Sequence, residues 1–196
     1  AEDLLVNNGG KRVREIIEAC ISNGMELVCT LPRAFHGNSL EHFKKRISVL
    51  PSLGIHGVMV RDIGQINWAK RFGISNLYGD MGLNVFNTCT LLEMKQFGLK
   101  AVTLSPEMTL RQIEDVHKPD GMQVEVISYG RLPLMIVRNC PVGSVLRDSE
   151  RKKYCDCNKK QYGLMDRKGA VFPLLTDCFT CRTEVLYSQP LFIADK

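Results

Sequence analysis

Between residues 25 and 128 the chain repeats one unit: a short apolar segment, one or two polar residues, then a segment of helical period. The apolar segments fall at 25–31, 54–60, 76–80, 100–104 and 122–128, and each reads as a strand. Helix-length connections between successive strands require parallel pairing with right-handed crossovers. The strands are apolar without strict alternation, which predicts burial on both faces.

The connecting segments carry their own boundaries. Val13, Ile16, Ile17, Cys20 and Ile21 share one face of a helix over 11–23, and Gly24 stops it. Ser39 is the expected cap of the next helix, with Leu40, Phe43, Ile47 and Leu50 turned inward and Pro51 ending it. Further helices are expected over 63–72, 88–97 and 110–116, the second ended by Gly98. Two folds satisfy this alternation, an open doubly wound sheet and an eight-stranded (β/α) barrel. No Gly-rich dinucleotide or phosphate loop follows any strand, since the Gly pair at 9–10 lacks both the spacing and a preceding strand.

Polar side chains close each strand instead: Arg33, Arg61, Asp62, Asp80, Asn84, Asn87, Ser105 and Glu107. In a barrel these gather at the C-terminal mouth, where active sites sit. Asp80 and Glu107 are the candidate acid/base pair, with Arg61 beside them in the catalytic set. Arg33, Asn84 and Asn87 are candidates for binding substrate. A mouth carboxylate serves equally well as an ion-pair partner of Arg33 or Arg61. Five units are too few to close eight strands, so either the remaining strands are expected on another part of a longer chain or on a second subunit, or the sheet stays open.

Beyond Ser128 the pattern changes. Residues 138–160 hold no usable period and read as loop. Residues 162–175 read as a hairpin turning at Gly169, and 183–193 add a short strand. The expected organisation is therefore a partial barrel over 1–137 and a small strand-rich, cysteine-bearing region over 138–196. Of the chain's 8 cysteines, Cys140, Cys155, Cys157, Cys178 and Cys181 cluster here in polar surroundings. Cysteine thiolates hold zinc or iron–sulfur clusters in fours, and the Cys178-x-x-Cys181 gap lets two thiolates share a centre. Cys155-x-Cys157 is tighter and supplies either two ligands or one. Cys20, Cys29 and Cys89 lie in apolar contexts and read as core or near-core.

Composition adds limits. An apolar fraction of 44% and a charged fraction of 24% fit an ordinary globular chain, and no run approaches the roughly 18 apolar residues of a membrane span. The first residues lack a basic start followed by an apolar stretch, so a cytoplasmic, reducing compartment is expected, where clustered cysteines are ligands more often than disulfides. The net charge of +5 is carried in local runs, of which Arg151-Lys-Lys153 flanks the cysteines. Positive charge there favours thiolates and attracts an anionic substrate such as RNA. His36, His42, His56 and His117 have no metal-ligand partner at helical spacing, and no Gly-x-Ser-x-Gly occurs.

Several segments together resemble the collagenase-like peptidase family U32: Gly79-Asp-Met-Gly-Leu-Asn-Val-Phe-Asn87, Leu104-Ser-Pro-Glu107, Tyr129-Gly-Arg-Leu-Pro-Leu-Met135, Asn139-Cys-Pro141, Asp166-Arg-Lys-Gly169 with Phe172-Pro173, and Cys181-Arg182. The likeness covers the chain from about Met25 onward and is narrower to the later half of the longer members. It implies a TIM-type barrel followed by a small cysteine-bearing region. It also implies one of two activities: the peptidase activity of the family's name, or hydroxylation of tRNA, ribosomal RNA bases or ubiquinone precursors. The hydroxylating relatives carry an iron–sulfur cluster on four cysteines, and those acting on RNA depend on prephenate. Short members place a first ligand three residues after a Gly and a second ten residues after it. Aligned on Gly130 these positions are Pro133 and Cys140, so one usual ligand is absent. Carried over from the longer members, the ligands are Cys140, Cys155, Cys157 and Cys181, with Cys178 as substitute, for a [4Fe–4S] cluster or alternatively zinc. Arg131, inside the Tyr129 motif, joins the substrate-binding set. A non-catalytic half barrel with a structural zinc is the remaining alternative.

Overall fold

The computed structural model describes residues 9–33, 44, 47–138, 140–146, 160–177 and 182–193. It divides into two compact units, Ala1–Ile127 and Ser128–Lys196. The first holds, in order, α1 (Gly9–Ser22), β1 (Val28–Thr30), β2 (Gly57–Val60), α2 (Ile63–Arg71), β3 (Leu77–Gly79), α3 (Thr88–Gln96), β4 (Leu99–Thr103), α4 (Leu110–Glu114) and β5 (Gln123–Glu125). The five strands pair in sequential order, each parallel to its neighbour. A doubly wound sheet reverses its strand order at one point. This sheet does not, and it has the arrangement of part of a (β/α) barrel wall.

The helices start where side-chain caps satisfy their free N–H groups. Asp62 accepts from the Gln65 N–H at 2.9 Å, and Asn87 accepts from the Thr90 N–H at 2.9 Å. Thr109 and Gln112 form a reciprocal capping box at α4. After α3, Gly98 has φ +79°, a conformation that costs glycine little and other residues more. Ser39, Leu40 and Phe43 lie outside the described residues, while Ile47 and Leu50 are buried as expected.

One face of the sheet packs on the helices. Val58 and Val60 from β2, Leu77 from β3, Leu99 and Val102 from β4, and Leu104 join Ile66, Ala69, Leu91 and Met94 in a single cluster. Each such side chain stabilises the fold by about 1.5–3 kcal/mol relative to exposure. Strand residues alternate between faces, so the intervening positions point the other way. In register they form one row, Thr30, Met59, Tyr78, Ala101 and Gln123. That row is mixed and partly polar, and Gln123 and Glu125 are exposed. The expectation of burial on both faces holds for β2 and β4, where Gly57, Ala101 and Thr103 are buried on the side of this row, and fails at β5, whose Gln123 and Glu125 are exposed. On α1, Ile17 is buried but Ile16 and Ile21 are exposed, so its expected apolar face is only partly covered among the described residues.

The second unit is antiparallel. Its elements are β6 (Tyr129–Gly130), β7 (Pro133–Val137), α5 (Pro141–Leu146), β8 (Tyr162–Met165), β9 (Val171–Asp177), β10 (Arg182–Leu186) and β11 (Leu191–Phe192). A four-stranded sheet runs β7-β10-β9-β8, and β6 pairs with β11. The hairpin of β8 and β9 turns where expected, with Asp166 Oδ1 accepting from the Lys168 and Ala170 N–H groups at 2.8 and 2.9 Å. The expected organisation assigns residues 128–137 to the barrel. The ladder places them with the second unit, because Val137, Ile136 and Met135 pair with Thr183, Glu184 and Val185 of β10. The expected loop over 138–160 contains α5, started by Pro141 at its first position.

Candidate active site

The carboxyl ends of β1 to β4 are fastened to one another by backbone and side-chain contacts. Leu31 N–H donates to the Met59 carbonyl at 2.9 Å, extending the pairing of β1 and β2. Gln65, fully buried in α2, then spans the same two strand ends. Its Nε2 donates to the Pro32 carbonyl at 2.8 Å and its Oε1 accepts from the Arg61 N–H at 2.7 Å. Sequence reasoning missed Gln65. The available signal was its position three residues after the Asp62 cap, the spacing of a capping box.

Arg61 Nε lies 2.6 Å from Asp80 Oδ2, and both side chains are largely buried. The Asp80 N–H donates to the Val60 carbonyl at 2.8 Å, which sets the carboxylate beside the end of β2. The surrounding Gly-Asp-Met-Gly-Leu-Asn motif is shaped for this approach. A Cβ on Gly79 would stand 2.6 Å from Leu83 Cδ1 and 2.9 Å from Leu99 Cδ2, and one on Gly82 would stand 2.8 Å from the Arg61 carbonyl oxygen. Asn84 closes the short Met81–Leu83 turn in the left-handed conformation, φ 51°. The buried Val85 carbonyl accepts from the Ser105 N–H at 3.0 Å, tying this loop to the end of β4.

On the next strands, Thr103 Oγ1 donates to Glu125 Oε2 at 2.9 Å. The register places Arg61, Asp80, Thr103 and Glu125 in one row at the strand ends, beside the Tyr78 row. Burial first, and then the negative field of Glu26 and Glu125, pushes the Tyr78 hydroxyl above its ordinary range. His56 pairs with Glu26 at 3.2 Å, just before β2 and so at the opposite end of that strand from Arg61.

The expected site residues fall into three groups. Asp80 and Arg61 meet each other; Glu107 is exposed, with its N–H 3.4 Å from Ser105 Oγ. Asn87 spends its side-chain oxygen on Thr90, and Asn84 is exposed at its turn. Arg33 is half-buried, and its Nη1 is buried without an acceptor among the described residues. In the second unit Arg131 Nη1 donates to the carbonyls of Tyr187 (2.9 Å) and Ser188, clamping the turn after β10.

Of the expected thiolates, only Cys140 is described; Cys155, Cys157, Cys178 and Cys181 lie outside the described residues. Cys140 caps α5: its carbonyl accepts from the Ser144 N–H at 2.9 Å and its Sγ from the Gly143 N–H at 3.2 Å. Hydrogen bonds to sulfur are a feature of cluster-ligating cysteines, and the soft donor set suits iron–sulfur or zinc. Among the described residues no three His, Cys, Asp or Glu side chains gather for a metal. Cys29 is partly buried, and burial pushes its thiol up; Cys89 is exposed, because it falls on the outer side of α3, which corrects its reading as near-core.

The family model described as Peptidase family U32 matches residues 6–180. No curated protein matches the chain. A solved structure, described as that of the U32 peptidase Mk0906, superposes with a TM-score of 0.50 at 11% identity, over 62% of this chain and 53% of that one. At that identity the likeness is one of fold, and the chain spans about half the length of that relative. No described helix is long and apolar enough to cross a membrane.

Proposed function

The chain belongs to peptidase family U32, and from that premise we propose that its strand-end row forms part of a substrate mouth in a protein that hydroxylates an RNA base or a similar acceptor. In this reading the barrel is completed by further chain or by a second subunit. Cys140, Cys155, Cys157 and Cys181 hold a [4Fe–4S] cluster, with Cys178 in reserve. When bound, such a cluster supplies one-electron chemistry. The protein's own residues supply position and polarity. Gln65 fixes two strand ends, Asp80 orients Arg61, and Thr103 orients Glu125 as a hydrogen-bond acceptor.

The observation that carries the proposal is the polar row Arg61, Asp80, Thr103 and Glu125 at the carboxyl ends of adjacent parallel strands, the end at which barrel enzymes bind substrate. The names of the family and of the solved relative favour a second reading, peptide hydrolysis. The described part of the mouth gives that reading less support: His56 lies at the other end of β2, paired with Glu26.

Protein purified without oxygen tests the cluster. About four irons and four sulfides per chain are expected, with broad visible absorption. Cys140→Ser should abolish both, and Cys178→Ser should leave both in place. Zinc alone, or iron content indifferent to Cys140→Ser, contradicts the reading, and cleavage of gelatin by the loaded protein favours the peptidase instead.

A further inference from the structure

We infer that the carboxyl end of β1 receives an oxyanion of the substrate, a carboxylate or phosphate group, on the Arg33 guanidinium. This rests on reading the strand ends as the substrate mouth. A guanidinium donates hydrogen bonds and accepts none, and a buried donor left unpaired loses its hydration without replacement. Arg33 Nη1 is in that state: it is buried and has no acceptor among the described residues.

The acceptors on the adjoining strand ends are engaged elsewhere. The Pro32 carbonyl takes Gln65 Nε2, and the Met59 carbonyl takes the Leu31 N–H. Asp62 accepts from the Gln65 N–H as the cap of α2, and Asp80 faces Arg61. Gln65 also holds Pro32 and Arg61 in fixed relation, so the backbone that carries Arg33 is anchored on its N-terminal side. A guanidinium nitrogen left without an acceptor among the described residues is completed by an acceptor brought from outside. Its planar fork matches the two oxygens of a carboxylate or phosphate. Arg61 does not duplicate this role, because Asp80 occupies its Nε.

Calorimetric titration of the full chain with inorganic phosphate, and separately with malonate, tests the assignment. Binding of at least one probe is expected, the tighter of the two identifying the substrate's anionic group, and Arg33→Met should weaken it by about tenfold or more. Arg33→Lys keeps the charge but not the fork and should also bind more weakly. Should either variant fail to fold, the Arg33 Nε–H resonance of the unsubstituted protein gives the same answer and should shift on adding the tighter probe. Failure of both probes to bind, equal affinity in a folded Arg33→Met, or an unmoved Arg33 resonance during binding would overturn the inference. Anion binding needs no cluster, so a protein that binds phosphate through Arg33 yet holds no iron removes the cluster reading and leaves this one standing.

Discussion

The two faces of the five-stranded sheet are made from the same strands and do different work. Toward the helices, Val58, Val60 and Val102 are completely buried in one apolar cluster with Leu91 of α3. Away from them stand Thr30, Tyr78 and Gln123, with Arg61, Asp80, Thr103 and Glu125 at the strand ends. A barrel interior is ordinarily filled by bulky branched side chains. The described part of this one departs from that pattern. The helix-facing side therefore carries stability, while the rim of the opposite side holds polar groups oriented by the Arg61–Asp80 ion pair and the Thr103–Glu125 hydrogen bond.

Substitutions on opposite faces should separate these roles. The largest effect is expected on the apolar side: Leu91→Ala should lower unfolding free energy by about 2–5 kcal/mol in urea titration. Asp80→Asn leaves Arg61 beside a neutral amide, and because the pair retains some solvent exposure the loss should be about 1–3 kcal/mol. Thr103→Val removes one hydrogen bond to an exposed carboxylate and should cost about 1 kcal/mol or less. A Thr103→Val protein as damaged as Leu91→Ala would mean that both faces are structural.

The smallest effect concerns pH. The Tyr78 hydroxyl is raised in the folded protein, so above its unfolded pKa the unfolded chain loses that proton first. The associated stability is present below about pH 10, the ordinary tyrosine value, and is lost as pH rises through the folded value. Tyr78→Phe should therefore flatten the alkaline fall of stability measured by thermal melts. An unchanged slope would place Tyr78 outside the negative field of Glu26 and Glu125.

The alternation of strands and helices was legible because it is written locally. Asp62 and Asn87 stand where the helices start, and Gly98 where one stops. What the sequence could not display was pairing between distant residues. Pro133–Val137 looks like a continuation of the barrel until its partners, fifty residues on in β10, are known. The pairing of Arg61 with Asp80 was one of two readings open for a mouth carboxylate, and proximity decided it. Gln65 reads as an ordinary helical residue because its partners, Pro32 and Arg61, belong to two other strand ends. Arg131 reads as a ligand-binding residue within its motif, yet its guanidinium holds the carbonyls of Tyr187 and Ser188.

The proposed role of the polar strand ends and the cysteine site is modification of an RNA base. Mass spectrometry of RNA nucleosides tests it most directly, using cells with the gene deleted and then restored as wild type or as Cys140→Ser. One hydroxylated nucleoside should disappear on deletion, return with the wild type and stay absent with Cys140→Ser. A nucleoside profile unchanged by the deletion would contradict it.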